Sequence, residues 1–322
     1  MRLSRPVALL AGVSTLLALP AALAAERVQV VTSFSLLADM IENVGGEQVA
    51  VTALVGPDSD AHVYSPRPTD ARALAEADLV VFNGLQFEGW MERLIDASDF
   101  TGPLVVASDG IAARIAAAED DGHDGHDDDA HDHGPLDPHA WQDLGMGPLY
   151  VANILTGLIE ADPDNSAAYQ ASAERYLEAV AAVDRELREL LDEIPAGTSV
   201  ITGHDSFGHF ARAYGLAFLS PQGLSTEAEP SAANMARLID VIREQNVRAL
   251  FHENMTSPAM IDQLAEETGL PVAGTLYADA LASDGEASSW LGMMRHNARV
   301  LHDALAEPGQ DNHVDEEHAH DH

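Results

Sequence analysis

Asp164–Glu193 reads DNSAAYQASAERYLEAVAAVDRELRELLDE and is typical of one long helix. Asp162 and Pro163 precede it as the predicted N-cap and first-turn residues, and Pro195 and Gly197 follow it as stop signals. At 1.5 Å per residue this stretch spans about 45 Å, more than one small lobe needs. We therefore predict a rigid helical connector between two lobes.

Short apolar runs on both sides of this helix predict β-strands, and most of them alternate with stretches of helical periodicity. The predicted strands are Val28–Thr32, Val51–Val55, Leu79–Asn83, Leu104–Ala107, Val200–Thr202, Leu216–Leu219, Ala249–His252 and Val272–Leu276. The predicted helices include Ser35–Val44, Thr69–Ala75, Ser231–Glu244 and Pro258–Thr268. This alternation predicts an α/β fold with two small lobes of parallel-rich sheets flanked by helices and joined by the long helix.

The N-terminal segment predicts export. Arg2 and Arg5 precede an apolar run, Val7–Leu19, and a small-residue cleavage site, Ala22-Leu23-Ala24, which together are typical of a signal peptide cut near residue 24. The sequence contains no cysteine, so we expect no lipid-anchored cysteine, no disulfide and only nitrogen or oxygen ligands for a metal. We predict a soluble periplasmic protein.

These patterns give a predicted domain plan with five parts. They are a signal peptide 1–24, an N-terminal α/β lobe 25–160, a connecting helix 161–195, a C-terminal α/β lobe 196–308 and a flexible histidine-rich tail 309–322.

The net charge of −37, with no lysine in the chain, makes nucleic acid and anionic lipid poor partners. The hydrophobic content of 46% is ordinary for a globular protein, and the chain is long enough for two domains with separate cores. We expect a monomer whose acidic residues lie on the surface and in two biased tracts.

The first biased tract is Glu119–His133, which sets four histidines among seven aspartates; the second is the tail. Neither has the apolar residues to bury a core, so both are predicted to be disordered. We hypothesise weak auxiliary zinc binding in the first tract, and the alternative is a solvated insertion without a transport role. Its histidines are His123, His126, His131 and His133.

Three other histidines lie where a ligand site of an α/β sheet is expected. His62 follows a predicted strand, His139 follows Pro138, and His204 follows the strand Val200–Thr202. Asp279 lies three residues past the strand Val272–Leu276. Because ligands bind beyond the carboxyl ends of such strands, these residues are predicted to converge on one cleft between the lobes.

Three segments carry a family resemblance. They are Asp60-Ala61-His62-Val63-Tyr64-Ser65-Pro66-Arg67-Pro68-Thr69-Asp70, Asp137-Pro138-His139-Ala140-Trp141 and His204-Asp205-Ser206-Phe207-Gly208-His209-Phe210. They resemble the cluster A-I zinc and manganese solute-binding proteins of metal-uptake ABC transporters, over nearly the whole mature chain. The resemblance implies two lobes joined by a long helix, a membrane permease as partner and four metal ligands, His62, His139, His204 and Asp279.

The resemblance also bears on the metal. In that family the third ligand is histidine in zinc-type members and glutamate in manganese-type members, and an acidic, histidine-rich loop is typical of the zinc type. Three imidazoles and one carboxylate also suit tetrahedral Zn²⁺, whereas manganese prefers more oxygens; copper and nickel remain chemically open. The expected cargo is therefore Zn²⁺.

Other residues are predicted to support these ligands. We expect Asp137, Asp205 and Tyr64 to orient the imidazoles and Glu253 to supply a supporting hydrogen bond. His209 is predicted to be structural, on a helix that begins at Asp205.

The predicted function is periplasmic high-affinity zinc capture and delivery to a membrane ABC importer, without enzymatic activity. A periplasmic zinc donor protein is a further candidate partner. The alternatives are a zinc buffer or chaperone, a manganese-type solute-binding protein, and a zinc hydrolase. A hydrolase needs an open coordination position and a general base, and Asp279 as fourth ligand would remove the open position.

Overall fold

The computed structural model describes residues 27–120, 136–244 and 247–306. The predicted signal peptide, the part of the histidine-rich tract from residue 121 to 133, and the tail 309–322 lie outside the described residues. Residues 119 and 120 of that tract belong to a helix, so the predicted loop starts two residues too early.

The N-terminal lobe is built on a four-stranded parallel sheet with the strand order β2-β1-β3-β4. The strands are β1 Val28–Phe34, β2 Val49–Val55, β3 Leu79–Phe82 and β4 Leu104–Val106. The lobe's helices are α1 Ser35–Gly45, α2 Pro68–Ala75, α3 Met91–Ser98, α4 Ile111–Asp120 and α5 Gly147–Ala161. The buried β1 and β3 form its centre, as their apolar runs predict.

The C-terminal lobe repeats this plan with the order β6-β5-β7-β8, again all parallel. Its strands are β5 Ser199–Ile201, β6 Ala217–Leu219, β7 Val247–Glu253 and β8 Val272–Leu276. Its helices are α7 Gly208–Tyr214, α8 Ala232–Glu244, α9 Ala259–Thr268 and α10 Trp290–Leu305. All eight predicted strands occur, and the predicted two-lobe α/β fold is confirmed.

The connecting helix α6 runs from Ser166 to Leu191, which makes it four residues shorter than predicted. At its start Pro163–Asn165 form a 3₁₀ turn, because the Asp162 carboxylate accepts hydrogen bonds from Asn165 (2.7 Å) and the Tyr169 hydroxyl (2.7 Å). One face of α6 is buried, against α1 and α5 of the first lobe and α7 and α10 of the second. The helix therefore joins the lobes through packing as well as through the chain.

The main hydrophobic core is continuous across both lobes, which corrects the expectation of two separate cores. Trp141 and Trp290 lie at its centre, both fully buried. A smaller cluster under α8 and α9 lies apart from it. The two lobes consequently share one packed interior in this structure.

Helix α5 is the most apolar helix of the described chain. The segment Leu144–Ala161 has the length and composition of a membrane-spanning helix. Tyr150, Val151, Ile154 and Leu158 are nevertheless buried, and α5 packs against α1 and α6. Its apolar character is thus that of a core helix.

Candidate metal centre

Four predicted ligands meet between the two lobes. His62 lies in the segment between β2 and α2, and His139 lies just before α5. His204 follows β5 and Asp279 follows β8. The carboxyl ends of the strands in the two sheets face each other, so these loops converge. His62 is 5% exposed and the other three ligands are fully buried.

The ligand atoms are spaced as the ligands of one ion would be. Asp279 Oδ2 lies 3.0 Å from His204 Nε2 and 3.3 Å from His62 Nε2. Asp279 Oδ1 lies 3.6 Å from His139 Nε2, and the Nε2 atoms of His62 and His139 are 3.4 Å apart. Ligands at 2.0–2.1 Å from a tetrahedral zinc ion are separated by about 3.3 Å. The cluster therefore fits a four-coordinate ion.

The buried polar atoms at this point have no other use. His204 Nε2 and both Asp279 carboxylate oxygens have no hydrogen-bond partner within the described part of the chain. His204 Nε2 and Asp279 Oδ2 are 3.0 Å apart but do not meet the angular criteria of a hydrogen bond. Orphaned buried polar groups are costly unless an ion or water satisfies them, so these atoms fit a metal site.

The charges of the site favour a cation. Burial raises the pKa of the Asp279 carboxyl, but the imidazoles of His204 and His139 outweigh burial and hold this pKa well below its usual value. Burial lowers the pKa of His204, but the carboxylates of Glu253 and Asp279 outweigh burial and raise it well above the usual value. Asp279 is thus ionised, and a proton and a metal compete for His204.

Carboxylates behind two of the imidazoles select the ring nitrogen that faces the centre. Asp137 Oδ1 accepts from His139 Nδ1 (2.8 Å) and from its backbone N–H (2.9 Å). Glu253 Oε2 accepts from His204 Nδ1 (2.6 Å), and Oε1 accepts from its backbone N–H (3.1 Å). Both rings present Nε2 to the centre, as metal-binding histidines do. Asp137 and Glu253, two of the predicted supporting residues, thus each lie within hydrogen-bond distance of one of these imidazoles.

His62 is held differently. Its backbone N–H donates to Asp60 Oδ1 (2.9 Å), and the edge of its ring packs on Phe87. The second oxygen of Asp60 accepts from Thr226 Oγ1 (2.6 Å) in the other lobe. His62 also lines a cavity of about 730 Å³ together with Gln86, Glu92 and Glu227, so it is the ligand nearest to solvent.

The two remaining predicted supporting residues lie elsewhere. The Tyr64 hydroxyl donates to Asp70 Oδ2 (2.8 Å) and accepts from Arg67 (3.2 Å). The Asp205 side chain is exposed. Neither makes a hydrogen bond to a ligand imidazole among the residues that the structure describes, so no contact supports their predicted role.

His209 is buried and faces Asp137 rather than the four ligands. Helix α7 begins at Gly208 and not at Asp205, because the Ser206 N–H bonds to the His204 carbonyl (3.0 Å) in a turn before the helix. Burial lowers the pKa of His209, with the Arg212 charge adding to this effect, although Asp137 opposes it. The ring is therefore neutral near pH 7.

Trp141 and Gln142 connect two ligand loops, and sequence reasoning missed this contact. Trp141 Nε1 (2.9 Å) and Gln142 Nε2 (2.8 Å) both donate to the carbonyl of Ala278, the residue before Asp279. Trp290 Nε1 in turn donates to the carbonyl of Trp141 (2.9 Å). These bonds tie the loop of His139 to the loop of Asp279. The only sequence signal was the position of Trp141 two residues after a ligand.

Glu88 is a second residue without a sequence signal. This buried carboxylate accepts from Ser33 Oγ (2.6 Å) and from the backbone N–H of Asn83 (2.7 Å). The Asn83 amide donates to the carbonyl of Pro138 (3.1 Å), next to His139. Burial raises the pKa of Glu88. In so acidic a chain, nothing local distinguishes this glutamate from a solvated one.

A family model and several known proteins match most of this chain. The model of the ZnuA family, described as zinc-uptake complex component A periplasmic, matches residues 30–304. The manganese-binding lipoprotein MntA of Halalkalibacterium halodurans is 30% identical over 285 residues, which are 88% of this chain and 90% of that protein. The iron-binding protein YfeA of Yersinia pestis is 29% identical over 261 residues, 81% of this chain and 80% of that protein.

Solved structures agree with this placement. The periplasmic zinc binding protein TroA from Treponema pallidum has a TM-score of 0.78 and 26% identity, covering 87% of this chain and 100% of that chain. The Mn-bound periplasmic metal binding protein from Candidatus Liberibacter asiaticus has a TM-score of 0.72 and 26% identity, with 86% and 99% coverage. The names of these proteins include zinc, manganese and iron, so the likeness gives the class of cargo and leaves its identity to the donor set.

Proposed function

Because this chain belongs to the ZnuA family of periplasmic zinc-uptake components, we propose that it is a zinc-binding protein that captures Zn²⁺ in the periplasm and delivers it to a membrane ABC importer. Proteins of this family are metal-binding, substrate-binding components of ABC transporters that work with a membrane permease. The proposal adds the identity of the metal.

The observation that carries the proposal is the donor set. Three imidazoles and one carboxylate converge, with separations of 3.0–3.6 Å between their ligand atoms. Imidazole suits zinc, whereas manganese favours carboxylate, carbonyl and water oxygens. His204 also stands at the position where the family resemblance has glutamate in manganese-type members. The set therefore favours Zn²⁺ over Mn²⁺.

The same geometry supports binding without chemistry. A catalytic zinc keeps one position for water or substrate, whereas four protein ligands close a tetrahedral shell. His139, His204 and Asp279 are fully buried. A transport cargo held in this way is protected until the lobes separate.

Capture and release would depend on the relative position of the lobes. His62 and His139 come from the N-terminal lobe, and His204 and Asp279 come from the C-terminal lobe. An ion bound by all four ligands stabilises the closed arrangement by its own binding free energy. Contact with the permease would favour the open arrangement and so lower the affinity for the ion.

Manganese is the second candidate cargo, because MntA of Halalkalibacterium halodurans and of Bacillus subtilis are both named manganese-binding lipoproteins. A periplasmic zinc buffer is the alternative role for a zinc site without an importer. The histidine-rich tract, with His123, His126, His131 and His133, is proposed to bind zinc weakly beside the main site.

The test is competitive titration of the metal-free mature protein with Zn²⁺ and with Mn²⁺ against chelators of known affinity. We expect one tight zinc equivalent per chain and much weaker manganese binding. The matched variant is His204→Glu combined with Glu253→Gln, which makes the shell richer in oxygen without placing the new carboxylate against that of Glu253. Tighter manganese than zinc binding in the wild type would refute the zinc assignment. Unchanged zinc uptake by cells that lack the protein would refute delivery.

A further inference from the structure

The ring of His209 is fixed by two partners. Nδ1 lies 3.0 Å from the Arg212 guanidinium, and Nε2 lies 3.1 Å from the backbone carbonyl of Asp137. A guanidinium only donates hydrogen bonds, so Nδ1 accepts and Nε2 carries the proton that it donates to the carbonyl. His209 thus acts on the residue that orients His139.

The Asp137 carboxylate lies between the ring of His139 and Gly208. Its Oδ1 accepts from His139 Nδ1, while its carboxylate packs against Gly208 at the first position of α7. A Cβ atom built on Gly208 would lie 2.6 Å from Asp137 Oδ2, inside any real contact distance. Only glycine at this position allows α7 to approach Asp137 so closely.

This contact crosses the cleft. Asp137 and His139 belong to the segment before α5 of the N-terminal lobe, and α7 follows β5 of the C-terminal lobe. His204 lies four residues before Gly208 in the same segment. Residues 204–212 therefore supply the ligand His204. They also contact Asp137, which orients the ligand His139 from the other lobe.

We propose that Gly208 and His209 are positioning residues that orient the ligand His139 through Asp137, so that docking of α7 onto the N-terminal lobe completes the metal site. This inference rests on the proposed zinc binding. When α7 moves away, the Asp137 carbonyl loses its hydrogen bond from His209, and the Asp137 carboxylate loses its contact with Gly208. The imidazole of His139 is then no longer held with Nε2 toward the centre. Lobe closure then sets ligand orientation as well as ligand distance.

The test is a double-mutant cycle on the full mature chain with Zn²⁺ as the probe. His209→Phe removes both ring nitrogens at similar size, His209→Gln keeps an N–H donor, and Asp137→Ala removes the residue through which His209 acts. We expect His209→Phe to raise the zinc dissociation constant roughly 3- to 10-fold, since partners of ligating histidines contribute about 10- to 100-fold. In the Asp137→Ala background the same change should have less than about a twofold effect.

Two further measurements separate positioning from packing. His209→Gln should recover most of the affinity, and the rate of zinc loss to a chelator should rise with His209→Phe. The control is His252→Phe, because the His252 ring is also fixed by a partner, the carboxylate of Asp262 (2.8 Å), but lies outside the centre. This control should leave the zinc affinity within about twofold.

The outcomes are distinguishable. A wild type without tight zinc binding would overturn the proposed function and this inference together. Tight wild-type binding with equal effects of His209→Phe in both backgrounds would overturn this inference alone. If His209→Phe fails to fold, Arg212→Gln decides the point in the same two backgrounds, because it frees the His209 ring while leaving it in place.

Discussion

The carboxylate of Glu253, at the end of β7, lies 2.6 Å from Nδ1 of His204, and both side chains are fully buried. The second oxygen of Glu253 accepts the backbone N–H of His204. Glu253 thereby fixes the ring, its tautomer and the loop after β5. At 2.6 Å this contact is shorter than the 2.8 Å contact between Asp137 and His139.

Replacing Glu253 should therefore weaken zinc binding. We expect Glu253→Ala to raise the zinc dissociation constant about 10- to 100-fold and Glu253→Gln to raise it less, because glutamine still accepts from Nδ1–H. Competition against a chelator measures both. Glu266→Ala, which changes an exposed glutamate on α9, is the control. Equal affinities for Glu253→Ala and the control would remove Glu253 from the site.

Loss of a histidine ligand should be more damaging than loss of Asp279. His62→Ala, His139→Ala and His204→Ala each remove one of four ligands, and His204→Ala also leaves the buried Glu253 without its partner. In Asp279→Ala a water can replace the single carboxylate oxygen. We expect the zinc dissociation constant to rise least for Asp279→Ala. Isothermal titration with a competing chelator ranks the four variants, and the reverse ranking would contradict the assignment.

Zinc affinity should fall as pH falls, starting above the ordinary imidazole range. The carboxylates of Glu253 and Asp279 raise the pKa of His204, so this ring stays protonated to higher pH than a free histidine of pKa about 6.5. Zinc must displace that proton, so affinity is lost as pH drops through the raised value. Titrations from pH 5 to about 9 test this. Glu253→Gln should move the loss to lower pH, and an affinity independent of pH would contradict the three-histidine shell.

Asp39 offers a prediction on stability. This α1 carboxyl accepts from the Trp290 N–H (3.0 Å) at the start of α10, and burial raises its pKa to about 6, although that hydrogen bond opposes the rise. Because the pKa of Asp39 is raised in the folded state, the protonated carboxyl stabilises the fold fully at pH values below its unfolded-state pKa of about 3.9. This stabilisation is lost as the pH rises through the folded-state pKa of about 6.

Asp39→Asn should therefore stabilise the metal-free protein at pH 7.5 by roughly 1–3 kcal/mol and flatten its stability between about pH 4 and 7. Urea unfolding across this range measures the effect. Asp96→Asn, at an exposed site on α3, should change stability by less than about 0.5 kcal/mol. A destabilised Asp39→Asn variant at pH 7.5 would show that the ionised carboxylate is needed at the start of α10.

The histidine-rich tract gives a prediction about loading. Deletion of residues 121–133 should leave the dissociation constant of the tight site nearly unchanged and remove weak extra zinc equivalents. Loading should be slower, because a tethered weak binder holds zinc at an effective concentration on the order of millimolar beside the cleft. Stopped-flow capture from a chelator tests this, with asparagine at His123, His126, His131 and His133 as the length-matched control. Equal loading rates for the deletion variant and the intact protein would show that the tract is a solvated insertion without a role in loading.

Much of the fold could be predicted because apolar periodicity reports local burial directly. All eight strands lie within about two residues of their predicted bounds. The start of α6 and the start of α7 could not be predicted from periodicity. Hydrogen bonds of the Asp162 side chain and a turn at Ser206 compete with helical hydrogen bonds at these two positions. Helix boundaries depend on such local competition more than on periodicity.

The sequence by itself determined the two-lobe α/β pattern, and its motifs together with the family resemblance predicted His62, His139, His204 and Asp279 as ligands. Only the tertiary structure decided which of the predicted supporting side chains contact an imidazole, and it added partners that were not predicted. Glu253 reaches His204 across 49 positions, Trp141 reaches Ala278 across 137, and His209 reaches Asp137 across 72. Tyr64 and Asp205, which are neighbours of ligands in the motifs, make no hydrogen bond to a ligand imidazole among the described residues. The physical reason is that a supporting hydrogen bond needs two atoms within about 3 Å and correctly aimed, and packing of separate loops sets that geometry without leaving a local pattern in the chain.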